Sequence, residues 1–547
     1  MRKIFDKINS IIKQERGTIK KEHGGKIRIC LIYPDIYQVG IGNLGFQTVY
    51  RLLNKRKDVV CERAFIPSNE EIRDYDNYHL ISYETKTPLY EFDILAFSLC
   101  FENDYPNIIK ILELAKIPFL NSEREYHHSI VVAGGVLCFS NPEPVAEIFD
   151  IIFVGEAEGL IDNFIELYKS VKEYSYEEDF KNNLKRESIK FKGFYIPSAY
   201  KEVYKNGKTQ GREILWEDAP LKIKRVYQRD FSEGFSYSQI TTSESVFSEM
   251  FLLETMRGCP FSCRFCLVGH VYKPVRRASF DKLIEKIDEI KKEGHSLVGI
   301  IAPSLTAYKE LTELFKISDI ELSCTSLRAD RFTMEILNTL ANRKTLTLAP
   351  EAGSERLRQI IKKDISESDI LSICQKLSET KLENLKLYFM IGLPFEKDED
   401  IDEIVNLIKK IRNIFPRKLT ASVSVFVPKP FTPFQWHRME NYENLKEKLK
   451  KLTKDTNKIK GFKLVHEVPK YSYMQGYFSR GNRKVLKNIE RISKGENFSK
   501  IFEEVKDYIY EVKSFDDYLP WDFIEHEGLT KEYLWQEYNK AKKQAGG

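Results

Sequence analysis

This chain of 547 residues has no long apolar runs, few cysteines and a small net charge. No uninterrupted apolar stretch approaches the roughly 20 residues that a membrane-spanning helix needs, which excludes a membrane-spanning protein. The opening residues, MRKIFDKINSIIKQERGTIKK, have neither the apolar core nor the cleavage site of a secretion signal, so we expect a cytoplasmic protein. Hydrophobic residues make up 42% and charged residues 31%, which excludes a disordered or collagen-like chain. The length predicts roughly two to four domains.

The charge is nearly balanced, with 86 basic against 81 acidic residues and a net charge of +5. The whole excess lies in residues 1–26, so the rest of the chain is neutral, which argues against an extended nucleic-acid groove. Ile4, Ile8, Ile11 and Ile12 recur at helical spacing within this basic segment. We expect residues 1–25 to form a helix docked on its own protein; an arm that binds nucleic acid or a membrane is the alternative.

Residues 26–170 alternate short β-branched runs with helical segments, which predicts a parallel sheet covered on both faces, a doubly wound Rossmann-like domain. The strands are KIRICLIYP, DVVCERAF, FDILAFSL, SIVVAGG and DIIFVGE. Such domains bind ligands at the carboxyl ends of their strands. The candidate binding residues at those ends are Gly40, Gly42, Asn43, Gly45, Ser98, Gly134, Gly135 and Glu156.

The remaining chain divides into three parts. Residues 171–245 read as a connector with a small hairpin, and its segment SYSQITTSES is predicted to be an exposed loop. Residues 246–435 contain six βα units, from FLLETMR to LTASVSVFVP, which predict an open, partial (β/α)6 barrel with its working face at the strand carboxyl ends. Residues 436–547 are Lys-rich and predicted to be mainly helical.

Three cysteines follow the first strand of the predicted barrel with C-x3-C-x2-C spacing: Cys259, Cys263 and Cys266. Thiolates on one tight loop suit an iron–sulfur cluster or zinc, and three ligands leave one corner of a [4Fe–4S] cluster open. His270 completes a possible Cys3His zinc site, which is the alternative. The other cysteines are interpreted as buried, reduced thiols: Cys30, Cys61, Cys100, Cys138, Cys324 and Cys374.

The cysteine spacing, its place after the first strand and the aromatic Phe265 before the third cysteine resemble the radical SAM superfamily. The resemblance implies a [4Fe–4S] cluster whose open iron binds S-adenosylmethionine (SAM). Reductive cleavage of SAM then gives a 5′-deoxyadenosyl radical, which abstracts hydrogen from an unactivated carbon. It also implies an electron-donating partner such as flavodoxin or ferredoxin.

The resemblance extends to the ends of the other barrel strands. KTLTLAPEAGSERLR resembles the fourth-strand segment of the superfamily, which implies that Glu351, Gly353 and Ser354 contact SAM. Arg328 is implied as the partner of the methionine carboxylate. The second strand ends in Ala-Pro-Ser where many relatives have a Gly-Gly-Glu amine-binding segment. The further residues assigned to the SAM site by this resemblance are Phe265, Ser304, Ser326 and Val427.

The whole chain resembles a branch of the superfamily in which a cobalamin-binding-type Rossmann domain precedes the barrel. The Asp-x-His-x-x-Gly loop that would supply a histidine to cobalt is absent, and VGIGNLG occupies that turn. The resemblance therefore implies cobalamin bound without a protein histidine, and weak axial ligation favours methyl transfer to an unactivated carbon.

Two other functions stay open from the sequence. One is a radical SAM enzyme of another reaction type, such as methylthiolation or rearrangement, without cobalamin. The other is a metal-stabilised binding module without enzymatic activity. The sequence identifies neither a substrate nor further catalytic residues.

Overall fold

The computed structural model of this chain describes residues 2–75, 78–205, 208–317, 320–324, 327–329 and 344–546. The protein is an α/β structure built on two parallel sheets, as the sequence predicts. None of the helices in these ranges is long and apolar enough to cross a membrane.

The N-terminal sheet has six strands in the order β2-β1-β3-β4-β5-β6. The first five run parallel and β6 pairs antiparallel with β5, so the sheet is doubly wound. The five predicted strands are confirmed, and their runs of Ile, Val and Leu are buried because helices cover both faces. The strand bounds are Ile27–Tyr33 (β1), Val59–Phe65 (β2), Ile94–Ser98 (β3), Ile130–Gly134 (β4), Ile151–Phe153 (β5) and Phe194–Tyr195 (β6).

The basic N-terminal helix, Arg2–Gln14, packs on this domain through Ile4, Ile8 and Ile11, which are all buried. The expectation that the helix docks on its own protein is confirmed. Arg63 of β2 secures the chain just after the helix, because its guanidinium lies 2.8 Å from Glu15 on one side and 2.6 Å from Glu84 on the other. The other helices of this part are Tyr37–Gly40, Leu44–Lys55, Tyr105–Leu114, Ile161–Tyr174 and Glu177–Ser188.

The second sheet contains the six predicted barrel strands. Together with one further strand, β18, they form the groups β10-β13-β14 and β15-β16-β17-β18, and a parallel bridge between Leu327 and Leu348 joins the groups. β18, Phe462–His466, is a seventh parallel strand, which the helical prediction for residues 436–547 missed. The other bounds are Phe251–Glu254 (β10), Leu297–Ile301 (β13), Glu321–Cys324 (β14), Thr345–Glu351 (β15), Asn384–Ile391 (β16) and Lys418–Val425 (β17).

Helices cover the outside of the second sheet and make up most of the C-terminal part. Those between barrel strands are Val268–Val271, Phe280–Lys292, Leu311–Ile317, Glu355–Ile360, Glu367–Ser378 and Asp398–Ile414. Those that follow are Tyr442–Thr456, Pro469–Ser479, Leu486–Ser493, Phe498–Ile509 and Lys531–Gln544.

The connector contains the predicted hairpin, formed by Tyr200–Lys205 (β7) and Lys208–Ile214 (β8). The prediction of an exposed loop over SYSQITTSES is wrong. Ser236 and Ser238 are buried, since this segment runs antiparallel to β10 and bonds to its backbone. Two short pairings complete the described structure: Ile223–Lys224 (β9) with Ile524–Glu525 (β19), and Met256–Arg257 (β11) with Arg276–Arg277 (β12).

Candidate functional site

The three clustered cysteines lie on the loop that follows β10 and β11. Gly258 opens this loop with φ of +80°, and a Cβ atom there would lie 2.6 Å from the carbonyl oxygen of Tyr272. Only glycine fits this turn, because a side chain would meet both strain and backbone. The turn brings Cys259 and Cys266 to the wall of the same cavity as Ala302, which follows β13.

The thiols of the three cysteines are free. Burial raises the pKa of each thiol, to about 11 for Cys263, and the charge of a neighbouring cysteine adds to the rise in every case. The ammonium of Lys363 acts in the opposite direction on all three. A buried cation beside the loop favours thiolate, which is the form that ligates a metal.

The arrangement does not assemble the alternative Cys3His zinc site. His270 is buried, and its Nε2 lies 3.2 Å from the carbonyl oxygen of Cys263. A zinc ion needs all its ligands at about 2.0–2.3 Å. Within the described ranges, no three His, Cys, Asp or Glu side chains are positioned to hold one metal ion. A four-iron cluster places its own iron and sulfide between the thiolates. Three thiolates can therefore hold it at larger separations than the ligands of one zinc ion have.

Glu351 and Arg328 flank the cysteine loop at the ends of neighbouring strands. Glu351 has φ of +68° at an irregularity in β15, and its carboxylate accepts a hydrogen bond of 3.0 Å from Lys363. Arg328 is buried; it donates a hydrogen bond of 3.0 Å to the carbonyl of Lys363, and its guanidinium lies 3.9 Å from the centroid of the Phe261 ring. One carboxylate and two cations thus surround the thiols.

The other residues assigned to SAM lie in different surroundings. Gly353 has no room for a side chain, since a Cβ atom would lie 2.2 Å from the backbone nitrogen of Ile404. Ser354 caps the helix Glu355–Ile360 and also bonds to Asp400. These contacts give both residues a structural reason for their identity. Their predicted contact with SAM stays a prediction.

Ser304 differs from them. Its hydroxyl is buried, has no hydrogen-bond partner within the described structure, and follows Pro303, which lines the cavity. Phe265 and Val427 are half-buried and pack against the core. Ser326 lies outside the described residues.

A cavity of about 690 Å³ connects the cysteine loop with the N-terminal sheet. This volume lies within the range of small-molecule and cofactor sites. The barrel side of its wall includes Cys259, Cys266, Tyr272, Ile301 and Pro303, and the N-terminal side includes residues of β1, β3 and β4 and of the helices beside them. The wall is predominantly apolar, with a polar end formed by Ser236, Glu254, Arg257, Glu156 and Glu158.

Six of the eight residues predicted at the strand ends line this cavity: Asn43, Gly45, Ser98, Gly134, Gly135 and Glu156. Gly40 and Gly42 do not line it. A side chain at Gly40 would collide with Phe65, and one at Gly42 would collide with Val246. Both positions need glycine because of packing within the protein, so the geometry does not support their assignment to a ligand site.

The neighbouring glycines Gly134 and Gly135 differ in what a side chain would meet. A Cβ atom at Gly134 has no neighbour closer than 4.0 Å, so the position opens onto the cavity. Gly135 has φ of +107°, and a Cβ atom there would lie 2.4 Å from the carbonyl oxygen of Leu99. Gly135 is therefore required by the backbone itself, whereas the absence of a side chain at Gly134 leaves space for a ligand.

Glu156 joins the two sheets through an arginine cluster. Arg276 binds both carboxylate oxygens at 2.7 Å, Arg257 donates at 2.9 Å and Arg225 at 3.3 Å. Glu156 is 5% exposed. Burial opposes its ionisation, but the hydrogen bonds from Arg276 and the charges of all three arginines outweigh burial and lower the pKa of Glu156 to about 2. Its carboxylate is thus already bound by protein groups at the cavity wall.

Family models match both halves of this site. The model described as "Radical SAM proteins, N-terminal" matches residues 45–197, and the model of the radical SAM superfamily matches residues 253–408, which include all three cysteines. An uncharacterized protein of Methanocaldococcus jannaschii is 31% identical over 468 residues, covering 84% of this chain and 90% of the relative. The chain belongs to the radical SAM superfamily. It is a radical SAM enzyme, and the family implies a [4Fe–4S] cluster and SAM.

More distant relatives of this radical SAM protein match only part of it. A tRNA-2-methylthio-N(6)-dimethylallyladenosine synthase of Desulforamulus reducens is 24% identical over 29% of this chain, which spans 38% of the relative. The threonylcarbamoyladenosine tRNA methylthiotransferase MtaB of Aquifex aeolicus is 21% identical over 38% of this chain, which spans 53% of that protein.

Two solved radical SAM structures have a distant likeness to the fold. The methyltransferase TsrM of Kitasatospora setae, solved with cobalamin and a [4Fe–4S] cluster, is 10% identical with a TM-score of 0.46, over 73% of this chain and 72% of TsrM. The cobalamin-dependent enzyme OxsB, solved with aqua-cobalamin and SAM, is 14% identical with a TM-score of 0.47, over 94% of this chain and 79% of OxsB.

Sequence reasoning missed several residues that this radical SAM site brings together. Lys363 lies three residues beyond the end of the helix Glu355–Ile360, and Arg257 stands two residues before Cys259. Tyr272 and Cys100 line the cavity from opposite sheets. For Arg257 the closeness to the motif was an available signal, but the others depend on contacts between distant parts of the chain.

Proposed function

We propose that this radical SAM enzyme binds cobalamin in the cavity between its two sheets and methylates an unactivated carbon. The observation that carries the proposal is a cavity that has Cys259 and Cys266 on one wall and the strand ends of the doubly wound sheet on the other. The strand ends would hold the corrinoid, and the cysteines on the facing wall would hold the cluster. When bound, the cluster and SAM supply the one-electron chemistry that activates a C–H bond, and the corrinoid supplies the methyl group.

The residues around the thiols fit a cluster with SAM. Cys259, Cys263 and Cys266 would hold three irons and leave the fourth for SAM. Arg328 lies beside the loop with a fork suited to a carboxylate, and Lys363 offsets the negative charge of the thiolates. The hydroxyl of Ser304, buried without a partner in the described structure, would bond to a polar group of SAM.

The cavity wall on the N-terminal side fits a corrinoid bound without histidine. Gly134 leaves room on the wall for a bulky ligand, and apolar residues of β1, β3 and β4 extend the wall along the sheet. Asn43 stands at the turn where other cobalamin domains have their histidine; its side chain accepts a hydrogen bond from the amide of Phe46 and so caps a helix. No histidine is among the described residues that line the cavity.

Methylthiolation is the second candidate, because the relatives that match part of this chain include a tRNA-2-methylthio-N(6)-dimethylallyladenosine synthase and a threonylcarbamoyladenosine tRNA methylthiotransferase. Enzymes of that class usually carry a second cluster with its own cysteines. Cys30 and Cys61 lie on the adjacent strands β1 and β2, and Cys100 lies beyond β3 on the cavity wall. Cys30 and Cys61 are buried within the sheet, and of the three only Cys100 lines the cavity, which favours the cobalamin proposal.

Anaerobic purification with cobalamin supplied during expression tests the proposal. We expect about four irons and four sulfides for each chain, together with one corrinoid. A variant with alanine at all three motif cysteines should lose iron and sulfide but retain the corrinoid, since the two sites lie on separate sheets. Cys374→Ala, which changes a buried thiol on the helix Glu367–Ser378, is the matched control and should retain both cofactors.

Two results would contradict the proposal in different ways. Stoichiometric zinc without acid-labile sulfide would show that the three cysteines hold zinc and not an iron–sulfur cluster. A full cluster without any corrinoid would leave a radical SAM enzyme of another reaction type.

A further inference from the structure

The C-terminal helix Lys531–Gln544 lies against the cysteine loop although the two are far apart in the sequence. Arg264 stands between the second and third cysteines and is buried. Its Nη1 donates a hydrogen bond of 2.6 Å to Oε1 of Gln544, near the end of this helix, and one of 2.7 Å to the carbonyl of Ile360. The backbone of Arg264 also bonds to Ile361 at 3.0 Å. The loop is therefore held from behind by two other elements.

Glu537 supplies the negative charge at this contact. One of its carboxylate oxygens lies 2.9 Å from the ammonium of Lys362 and 3.5 Å from Nε of Arg264, and the other accepts a bond of 2.8 Å from Lys540. Glu537 is 4% exposed, so water screens these charges poorly. It lies in the middle of the last helix and neutralises two cations that belong to different segments around the thiols.

The segment that contains Lys362 also reaches the thiols from its other side. Lys363 bonds to Glu351, and its charge acts on all three cysteines. Arg328 bonds to the carbonyl of the same Lys363. Lys362 and Asp364 have positive φ values, an uncommon conformation for residues other than glycine, which surrounding contacts must hold in place. The pair of Glu537 and Lys362 is one of those contacts.

We infer that Glu537 is a positioning residue for the cluster. Its carboxylate holds the cysteine loop through Arg264 and Lys362, and its charge sets the reduction potential of the cluster. The inference rests on the cluster-binding part of the proposed function and does not depend on cobalamin. The physical reason is charge. A reduced cluster carries one more negative charge than the oxidised cluster, so a buried carboxylate nearby disfavours reduction and a buried cation favours it.

Paired substitutions with opposite charge effects test the inference. Glu537→Gln keeps the shape but leaves Arg264 and Lys362 uncompensated, so the midpoint potential of the cluster should shift to more positive values. Lys362→Gln removes a cation and should shift it to more negative values. Glu537→Asp keeps the charge and should restore most of the parent potential. Glu532→Gln makes the same chemical change at an exposed position of the same helix and should shift nothing.

The readout is a potentiometric titration followed by paramagnetic resonance, with iron and sulfide content measured for each variant. If Glu537→Gln and Lys362→Gln shift the potential in the same direction, or neither shifts it, the inference is overturned. If Glu537→Gln does not fold, Lys362→Gln is decisive: a midpoint potential that does not shift to more negative values overturns the inference. A parent protein that contains no iron–sulfur cluster would instead refute the proposed function.

Discussion

Replacing Glu156 with glutamine tests the polar contact that joins the two sheets beside the cavity. Glutamine keeps the shape of the side chain but loses the charge, so Arg225, Arg257 and Arg276 face only Glu158 and Glu254, both of which bond to Arg257. Removing one partner of a buried ion pair costs about 3–5 kcal/mol, because the remaining charge stays buried without compensation.

The pKa of Glu156 gives a second, independent magnitude. The value in the folded protein is about 2, against an ordinary value of 4.5. At about 1.4 kcal/mol for each pH unit, this difference corresponds to roughly 3 kcal/mol of stability at neutral pH. Because the folded pKa is depressed, that stability is present above about pH 5 and is lost as the pH falls towards 2. The two magnitudes agree within their precision.

Amide hydrogen exchange reports this contact directly, because Glu156 donates its backbone amide to Val226 at 2.9 Å and Val226 donates to Val154 at 3.0 Å. A loss of about 3 kcal/mol corresponds to a roughly hundredfold loss of protection at these amides in Glu156→Gln. Glu158→Gln is the matched control; Glu158 accepts one bond, from Arg257, so the loss of protection should be about tenfold or less.

Two results would refute this reasoning. One is protection in Glu156→Gln within about threefold of the parent. The other is an acid-dependent loss of protection that is as large in the variant as in the parent, since glutamine has no proton to gain.

Further predictions concern the two cofactor sites. Gly134→Leu should remove corrinoid binding, measured by corrinoid absorbance, and leave the iron content unchanged, because the new side chain enters the cavity. Gly135→Leu should instead lower the melting temperature, measured by thermal denaturation, because it strains the backbone. Arg328→Ala and Glu351→Ala should each weaken SAM binding by about 1.5–3 kcal/mol, measured by calorimetry, and unchanged affinity in both would contradict the assignment of the strand ends. The cob(II)alamin paramagnetic resonance spectrum of the parent should show no coupling to an imidazole nitrogen, and such a coupling would disprove the histidine-free site.

The strands were predictable because each one is a local pattern. Short runs of Ile, Val and Leu between helical segments identify buried parallel strands, and all five N-terminal and six barrel strands appear where the sequence places them. β18 was missed for the opposite reason. It lies at the edge of the sheet and much of it is exposed, so Phe462–His466 has no continuous apolar run that distinguishes it from the Lys-rich helices around it.

Polar segments were harder to interpret than apolar ones. SYSQITTSES is rich in Ser and Thr, which is typical of loops, yet Ser236 and Ser238 are buried because they bond to the backbone of β10. The hydrogen bonds of such a segment are satisfied by a strand that comes later in the chain, and composition alone does not reveal that partner.

The sequence by itself determined the chemistry of the cluster site. The spacing of Cys259, Cys263 and Cys266 and their place after a strand depend only on residues within one short segment. The glycines at the strand ends are equally visible in the sequence, but the sequence does not show why each position needs glycine. Only the tertiary structure separates Gly134, which faces a cavity, from Gly135, which the backbone of Leu99 requires.

The electrostatic surroundings of the site were decided by tertiary structure alone. Glu156 meets arginines that lie 69 to 120 positions further along the chain, and Gln544 meets Arg264 across 280 positions. A buried charge is stable only when the fold brings an opposite charge to it, and no local pattern in a sequence records which distant residue that is.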